Sequence, residues 1–209
     1  MSNLNSAVPL SVASDLSASR HALVYLSATG VALAGPANRS IGTLFEPNKK
    51  HDPDTGSYVG DACTVFLHVG MGLHDVLVGN TTAIAVGDEL ESGASGVVQK
   101  KTTRTVTAAT TDIFTSTAHG FVVNQPVVFL GLGDGVGTGL HAGITYYIIS
   151  TNLAANTFSV SPSVGGTIVD VTTAMTTGGS ATARVAGIAA EACPSSSNGG
   201  GRIHAILFP

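Results

Sequence analysis

Histidine, aspartate and glycine recur in a few places with spacings that chemistry could use. His68 and His74 bracket Val69-Gly70-Met71-Gly72-Leu73. On opposite arms of a hairpin, two such imidazoles could face each other around a metal ion, with Asp75 as a nearby third ligand. Ordinary strand histidines fit the same pattern, and the incomplete ligand set favours that reading. Asp52-Pro-Asp54-Thr-Gly56 is similar to the opening of a calcium loop, but it lacks the later acidic ligands and the closing glutamate, so it reads as a turn. The run Gly131 to Gly139 is glycine-rich, yet no Lys-Ser/Thr follows it and no helix opens after it. A phosphate loop fails on that context, and a hairpin tip remains. Gly93-Ala-Ser95-Gly-Val97 misses the final glycine of a nucleophile elbow and lies between two strands. His119, in Thr117-Ala-His-Gly120, reads as a turn cap. No nucleophile, base and orienting group can be assembled from the sequence, so neither enzymatic activity nor a metal or cofactor is expected.

The elements that position these residues are strands. Of the 209 residues, 11% are charged, against roughly 25% in an average domain, and tryptophan is absent. No run approaches the about 18 apolar residues of a membrane-spanning helix, because the hydrophobicity comes from scattered Ala and Val. The net charge is −4 and the basic residues are dispersed, so neither nucleic acid nor membrane is an expected partner. Cys63 and Cys193 obey no metal-ligand spacing and read as two buried thiols, with a disulfide left open. The first residues lack the basic and apolar regions of a secretory signal, so synthesis in a cytoplasm is expected.

Many short strands separated by glycine turns predict an all-β fold, a small antiparallel barrel or sandwich. Residues 1–20 read as an extended N-terminal arm, either a disordered tail or an arm that orders by adding a strand to a neighbouring subunit. Strands are expected over residues 21–26, 31–33, 41–44, 64–69 and 71–78, the last two as an antiparallel pair. The best helical candidate lies within Ser14 to Leu26. Polar loops are expected over residues 46–58 and 194–201.

The organising stretch is Ile84–Lys100, a strand, tight turn and strand with Gly87-Asp88 and Gly93 to Gly96 at the turns. Its continuation resumes only at Arg184 to Glu191. Between them, residues 102–183 are Thr-rich and carry charge only at Arg104, Asp112, Asp134 and Asp170. This middle third predicts its own strands at residues 104–107, 113–116, 127–130, 145–149, 157–160 and 167–171. Residues 21–101 plus 184–209 therefore form a host β-domain, and residues 102–183 an inserted β-domain whose ends lie close together. The last strand alternates Ile203, Ala205, Leu207 against His204, Ile206, Phe208, and apolar residues on both sides imply that it is buried or paired with another subunit.

The host halves resemble the small capsid-decoration (cement) proteins of tailed bacteriophages. The resemblance rests on the order of three phrases: Arg39-Ser-Ile-Gly-Thr-Leu44, Ala85-Val-Gly-Asp-Glu-Leu90 with its Gly-Val-Val hairpin, and Val185-Ala-Gly-Ile-Ala-Ala-Glu-Ala192 before a Gly-rich loop and a terminal strand. The insert resembles a module of phage tail and head-fibre proteins through Phe114-Thr-Ser-Thr-Ala-His-Gly120, Pro126-Val-Val-Phe129, the paired Tyr146-Tyr147 and Asn156-Thr-Phe-Ser-Val160. The resemblance implies a structural virion protein on the outer capsid surface. It would be a homotrimer at (quasi-)three-fold junctions of the major capsid protein, with the insert projecting outward. The alternative is a head-fibre or tail component that binds host-surface glycans through the insert, with Phe121, Tyr146, Tyr147 and Phe158 as the stacking residues. A protease-like hydrolase is a remoter rival.

Overall fold

The computed structural model describes residues 7–13, 16, 19–46, 50–51, 58–59, 62–67, 73–79, 82–133, 140–194 and 201–208. The strands in chain order are β1 (Ala7–Ser11), β2 (Leu23–Ser27), β3 (Gly30–Leu33), β4 (Gly42–Glu46), β5 (Lys50–His51), β6 (Tyr58–Val59), β7 (Ala62–Leu67), β8 (Leu73–Val78), β9 (Glu89–Ser92) and β10 (Val98–Lys100). They continue as β11 (Thr103–Ala108), β12 (Phe114–Thr115), β13 (Pro126–Leu132), β14 (Thr145–Ile149), β15 (Thr157–Ser161), β16 (Met175–Ala183), β17 (Gly187–Ala189) and β18 (Gly201–Leu207). The fold is all-β. Among the described residues no helix is long and apolar enough to cross a membrane. Two compact units divide the chain, residues 1–100 with 185–209 and residues 101–184.

The first unit holds a five-stranded sheet in the order β1-β7-β4-β2-β3 and a closed barrel in the order β10-β8-β18-β17-β9. Period-two alternation along β2 decides how they share a core. Leu23, with Ala34, packs among the barrel residues Val76, Val78, Ile84, Leu90, Val98, Ile203, Ala205 and Leu207. Its neighbour Val24 faces the other way, onto Val31, Leu44, Val65 and Leu16. The turn between β9 and β10 touches the same region. The Gly96 amide donates to the Ala34 carbonyl at 2.6 Å. A Cβ on Gly96, whose φ is 77°, would lie 2.7 Å from the Leu23 carbonyl oxygen. Only glycine fits both the backbone angle and the space.

Barrel closure follows from pairing. β9 pairs with β10 on one side (Lys100↔Leu90) and with β17 on the other (Gly187↔Leu90, Ile188↔Glu89). β18 joins β17 to β8, and β8 meets β10 in a parallel contact at Val98↔Val78. In β18, Ile203, Ala205 and Leu207 are buried in the barrel, whereas Arg202 and His204 are exposed and Ile206 half-buried, so one of the two apolar faces is core.

The second unit is a closed six-stranded barrel in the order β11-β12-β15-β14-β13-β16. Its core gathers Phe114, Phe121, Phe129, Phe158, Tyr146, Ile148, Val160 and Met175. β16 occupies a place the sequence reading left empty. Gly178 and Gly179 weaken its strand signal, but a Cβ on Gly179 would collide with the Val106 carbonyl and the Met175 side chain, so glycine admits the close backbone approach. Residues 167–171, expected as a strand, form none. Val169 and Val171 still enter the core, held by single hydrogen bonds from Val169 N–H to Val160 O and from Val171 N–H to Asp112 Oδ1. Core alternation without a ladder produced the false strand.

Three other expectations change. Residues 7–13 are not an arm apart from the body. β1 pairs with β7, Val12 bridges Val31, and the Ala13 amide donates to Val31 O, so this stretch completes its own chain's sheet. β7 and β8 do not pair with each other; one belongs to the sheet and the other to the barrel. Among the described residues of 14–26 there is no helix. Ser19 N–H to Leu16 O and Ala22 N–H to Ser19 O make short turns that lead into β2. The turn at residues 70–72 and parts of the loops expected at residues 46–58, 131–139 and 194–201 lie outside the described residues.

Lys100 and Gly187 both flank Leu90 across β9, which places them two strand spacings, about 10 Å, apart. Replacing residues 103–183 by a short glycine linker should therefore leave a host unit that unfolds cooperatively, as followed by circular dichroism in urea. A featureless, non-cooperative melt would refute the insertion.

Candidate functional site

The aromatic residues expected to form a stacking surface are, for the most part, core. Phe121 is 5%, Tyr146 2% and Phe158 0% exposed. Phe158 stacks on Phe114 at 5.3 Å between ring centroids and meets Phe121 edge-on at 5.2 Å; Tyr146 lies edge-on to Phe129 at 5.9 Å. The expectation is corrected for a physical reason. A chain this poor in aromatics places its few rings where burial yields most. Tyr147 points to the opposite face of β14, half-buried, and one ring does not make a platform. The Tyr146 hydroxyl accepts the His141 amide at 2.8 Å, which satisfies the buried phenol.

His119 is 2% exposed and structural. Its Nδ1 accepts the Phe121 amide at 2.9 Å, so Nε2 carries the proton and donates toward Ala154 O (2.9 Å) and Thr157 O (3.2 Å). The imidazole ties the 116–121 loop to the start of β15, which is the capping role its sequence context suggested.

In the first unit, His68 lies outside the described residues, as do Asp52 and Asp54. His74 is 3% exposed, with Nδ1 3.4 Å from Thr43 Oγ1, and burial lowers its pKa below 6.5. Asp75 turns instead to His21 Nδ1 at 3.2 Å and to the Arg202 guanidinium at 3.4 Å; His21 Nε2 lies 3.0 Å from that same guanidinium. Burial lowers the His21 pKa, Asp75 opposes this, and Arg202 and Arg20 reinforce it. Glu91, 1% exposed, accepts from Gln99 Nε2 at 2.8 Å. Ser95 sits on an exposed turn at φ 57°. Cys193 is a free, half-buried thiol. Among the described residues no group of three or more His, Cys, Asp or Glu side chains is placed to hold a metal ion.

The feature that no motif announced lies in the second unit. A cleft of about 640 Å³ is lined by Thr102, Thr103, Arg104, Thr105, Thr107, Thr115, Ser116, Thr117 and Ala118. Arg104 is held in it by Nε–H to His119 O, by a hydrogen bond to Thr102 O at 3.0 Å, and by its guanidinium carbon 4.5 Å above the Phe121 ring. Ser116, also lining the cleft, is 5% exposed. Such an arrangement offers hydroxyls and a guanidinium with which polar groups could hydrogen-bond. Its sequence gives little warning, because threonine is common throughout the insert and Arg104 is held by the main-chain carbonyls of Thr102 and His119, which no side-chain motif marks.

No protein-family model matches the chain, and no curated protein or solved structure matches it.

Two measurements check these assignments. Both His21 and His74 have folded pKa values below the unfolded value near 6.5, so the unfolded chain takes up protons first. Urea midpoints for the first unit should hold above about pH 7 and fall as the pH drops through 6.5, until the folded-state values are passed. A midpoint that rises on acidification would contradict this. Phe158→Ala should destabilise the second unit by about 3–5 kcal/mol, since it removes a ring buried among three others. A change below about 1 kcal/mol in a denaturant melt would place that ring outside the core.

Proposed function

We propose that the chain is a structural bacteriophage protein that decorates and stabilises the outer surface of the capsid, as a homotrimer at (quasi-)three-fold junctions of the major capsid protein. One observation carries the reading. The phrases that resemble capsid-decoration proteins, Ala85 to Leu90 and Val185 to Ala192, are far apart in the chain yet pair with each other in one barrel, through Gly187↔Leu90 and Ile188↔Glu89. The two halves of the resemblance thus describe one folded body.

The physics of the role suits such a body. A packaged genome loads a shell whose subunits meet at many weak interfaces. A clamp that binds the assembled lattice and not the free subunit stabilises the lattice by mass action. Three linked copies add avidity, because the second and third contacts form at high effective concentration. Closing the β10-β8-β18-β17-β9 strands on one another removes the edges of that sheet and leaves a stiff body to seat on a lattice. Because residues 7–13 belong to the sheet, attachment falls to the surface of the body and its loops, not to a detached arm.

The test is sedimentation of the purified protein with empty phage heads stripped of their own decoration. The expected result is saturable binding in multiples of three copies, together with a higher melting temperature of the shells. Protein that stays in the supernatant at saturating head concentrations would overturn the reading.

A further inference from the structure

We infer that the cleft between β11 and the 115–118 segment is a binding site for an anionic saccharide. The inference rests on the second unit alone and holds whether or not the first unit seats on a capsid.

The site begins as a gap in the barrel wall. On one side β11 follows β16 from Thr103 to Ala108. On the other it meets β12 only at Thr107↔Thr115 and Ala108↔Phe114, after which the chains part. The hairpin bond from Ala109 N–H to Ile113 O sets the alternation of the ladder. By that alternation the main-chain N–H and C=O of Thr103 and Thr105 point into the gap. Thr103, Thr105 and Thr107 line the cleft from the β11 side, and Thr115 and Thr117 line it from the 115–118 segment.

At the base, the Ser116 hydroxyl is buried and has no hydrogen-bond partner among the described residues. Folded proteins rarely bury a hydroxyl without a partner, so a polar group entering the cleft gains a hydrogen bond at no cost in exposed partners. Arg104 adds a positive charge in a fixed orientation, and the other lining residues are uncharged. Its rotamer is set by two carbonyls and an aromatic ring, so little side-chain entropy is lost when it meets an anion.

These features select the ligand. Hydroxyls that both donate and accept, on two facing walls, match the vicinal hydroxyls of a sugar. The guanidinium favours a carboxylate or sulfate on that sugar. A neutral sugar is disfavoured because, among the described residues, no aromatic ring lines the cleft to take its apolar face. An acidic peptide is disfavoured because strand addition needs a longer open edge than the stretch from Thr103 to Val106. The volume is in the range of small-ligand pockets and accommodates two or three sugar rings.

The test is an amide NMR titration of the full chain with 3′-sialyllactose, a sulfated chondroitin disaccharide, lactose and hexaglutamate. The inference expects shifts at residues 103–107 and 115–118 with at least one of the two anionic sugars, and the pair shows whether carboxylate or sulfate is preferred. It also expects Arg104→Gln to weaken that binding by about tenfold or more. If Arg104→Gln disturbs the fold, the double variant Ser116→Ala, Thr117→Val decides, with a comparable loss expected. Equal shifts with lactose or with hexaglutamate, no shifts with either anionic sugar, or unchanged binding in the folded variants would each overturn it.

Discussion

Strand β9 needs a neighbour on each side, and that requirement orders the first unit. Leu90 lies between Lys100 and Gly187, and the Ala186 amide donates to its carbonyl. Without β17 the barrel is a sheet with two open edges, and Val76, Val98 and Ile203 lose the enclosure that keeps them dry. Residues 101–184 stand between the two partners in the chain. The cost of closing such a connection grows only slowly with its length, and a segment that folds on itself lowers it further by bringing its own ends together. A second domain inside the hairpin is therefore compatible with a stable barrel, provided it is built on its own core.

That core is built from a different stock of residues. Four of the seven phenylalanines in the chain, with Tyr146, fill the second barrel. The buried members of the first barrel's cluster are aliphatic. Small β-branched and aliphatic side chains pack a narrow five-stranded barrel, whereas the wider six-stranded one needs rings to fill its middle. The same allocation removes those rings from the surface. It turns the question of what the insert binds away from stacking and toward the polar cleft beside Arg104.

Much of the architecture was legible where one physical signal dominated. The terminal strand was legible as a strand, though its apolar residues on both sides left its inward face open until the barrel showed Ile203, Ala205 and Leu207 buried, and the change of texture at Thr102 lies within a residue of where the second unit begins. Legibility failed where two requirements competed. β16 hides its pattern behind Gly178, whose φ of 73° favours glycine, and Gly179, where the Val106 carbonyl passes too close for a side chain. The stretch 167–171 keeps the alternation of a strand because it lines a core, although its backbone bonds go elsewhere. The rings of Phe121, Tyr146 and Phe158 carry no mark in the sequence that separates a core ring from a binding ring; only the curvature of the closed barrel decides it. The candidate site was less legible still. It depends on where two strands part, on a buried serine and on loop carbonyls that fix one arginine, and local composition encodes none of these.

The central claim is that residues 84–100 and 185–207 make one barrel across an intervening domain. Backbone NOEs in the intact protein test it most directly. The account predicts cross-strand contacts joining Ile188 to Glu89 and Gly187 to Leu90, with slow hydrogen exchange at the Ala186 amide. Contacts from residues 185–189 to the second unit alone, with Leu90 paired only to Lys100, would contradict it.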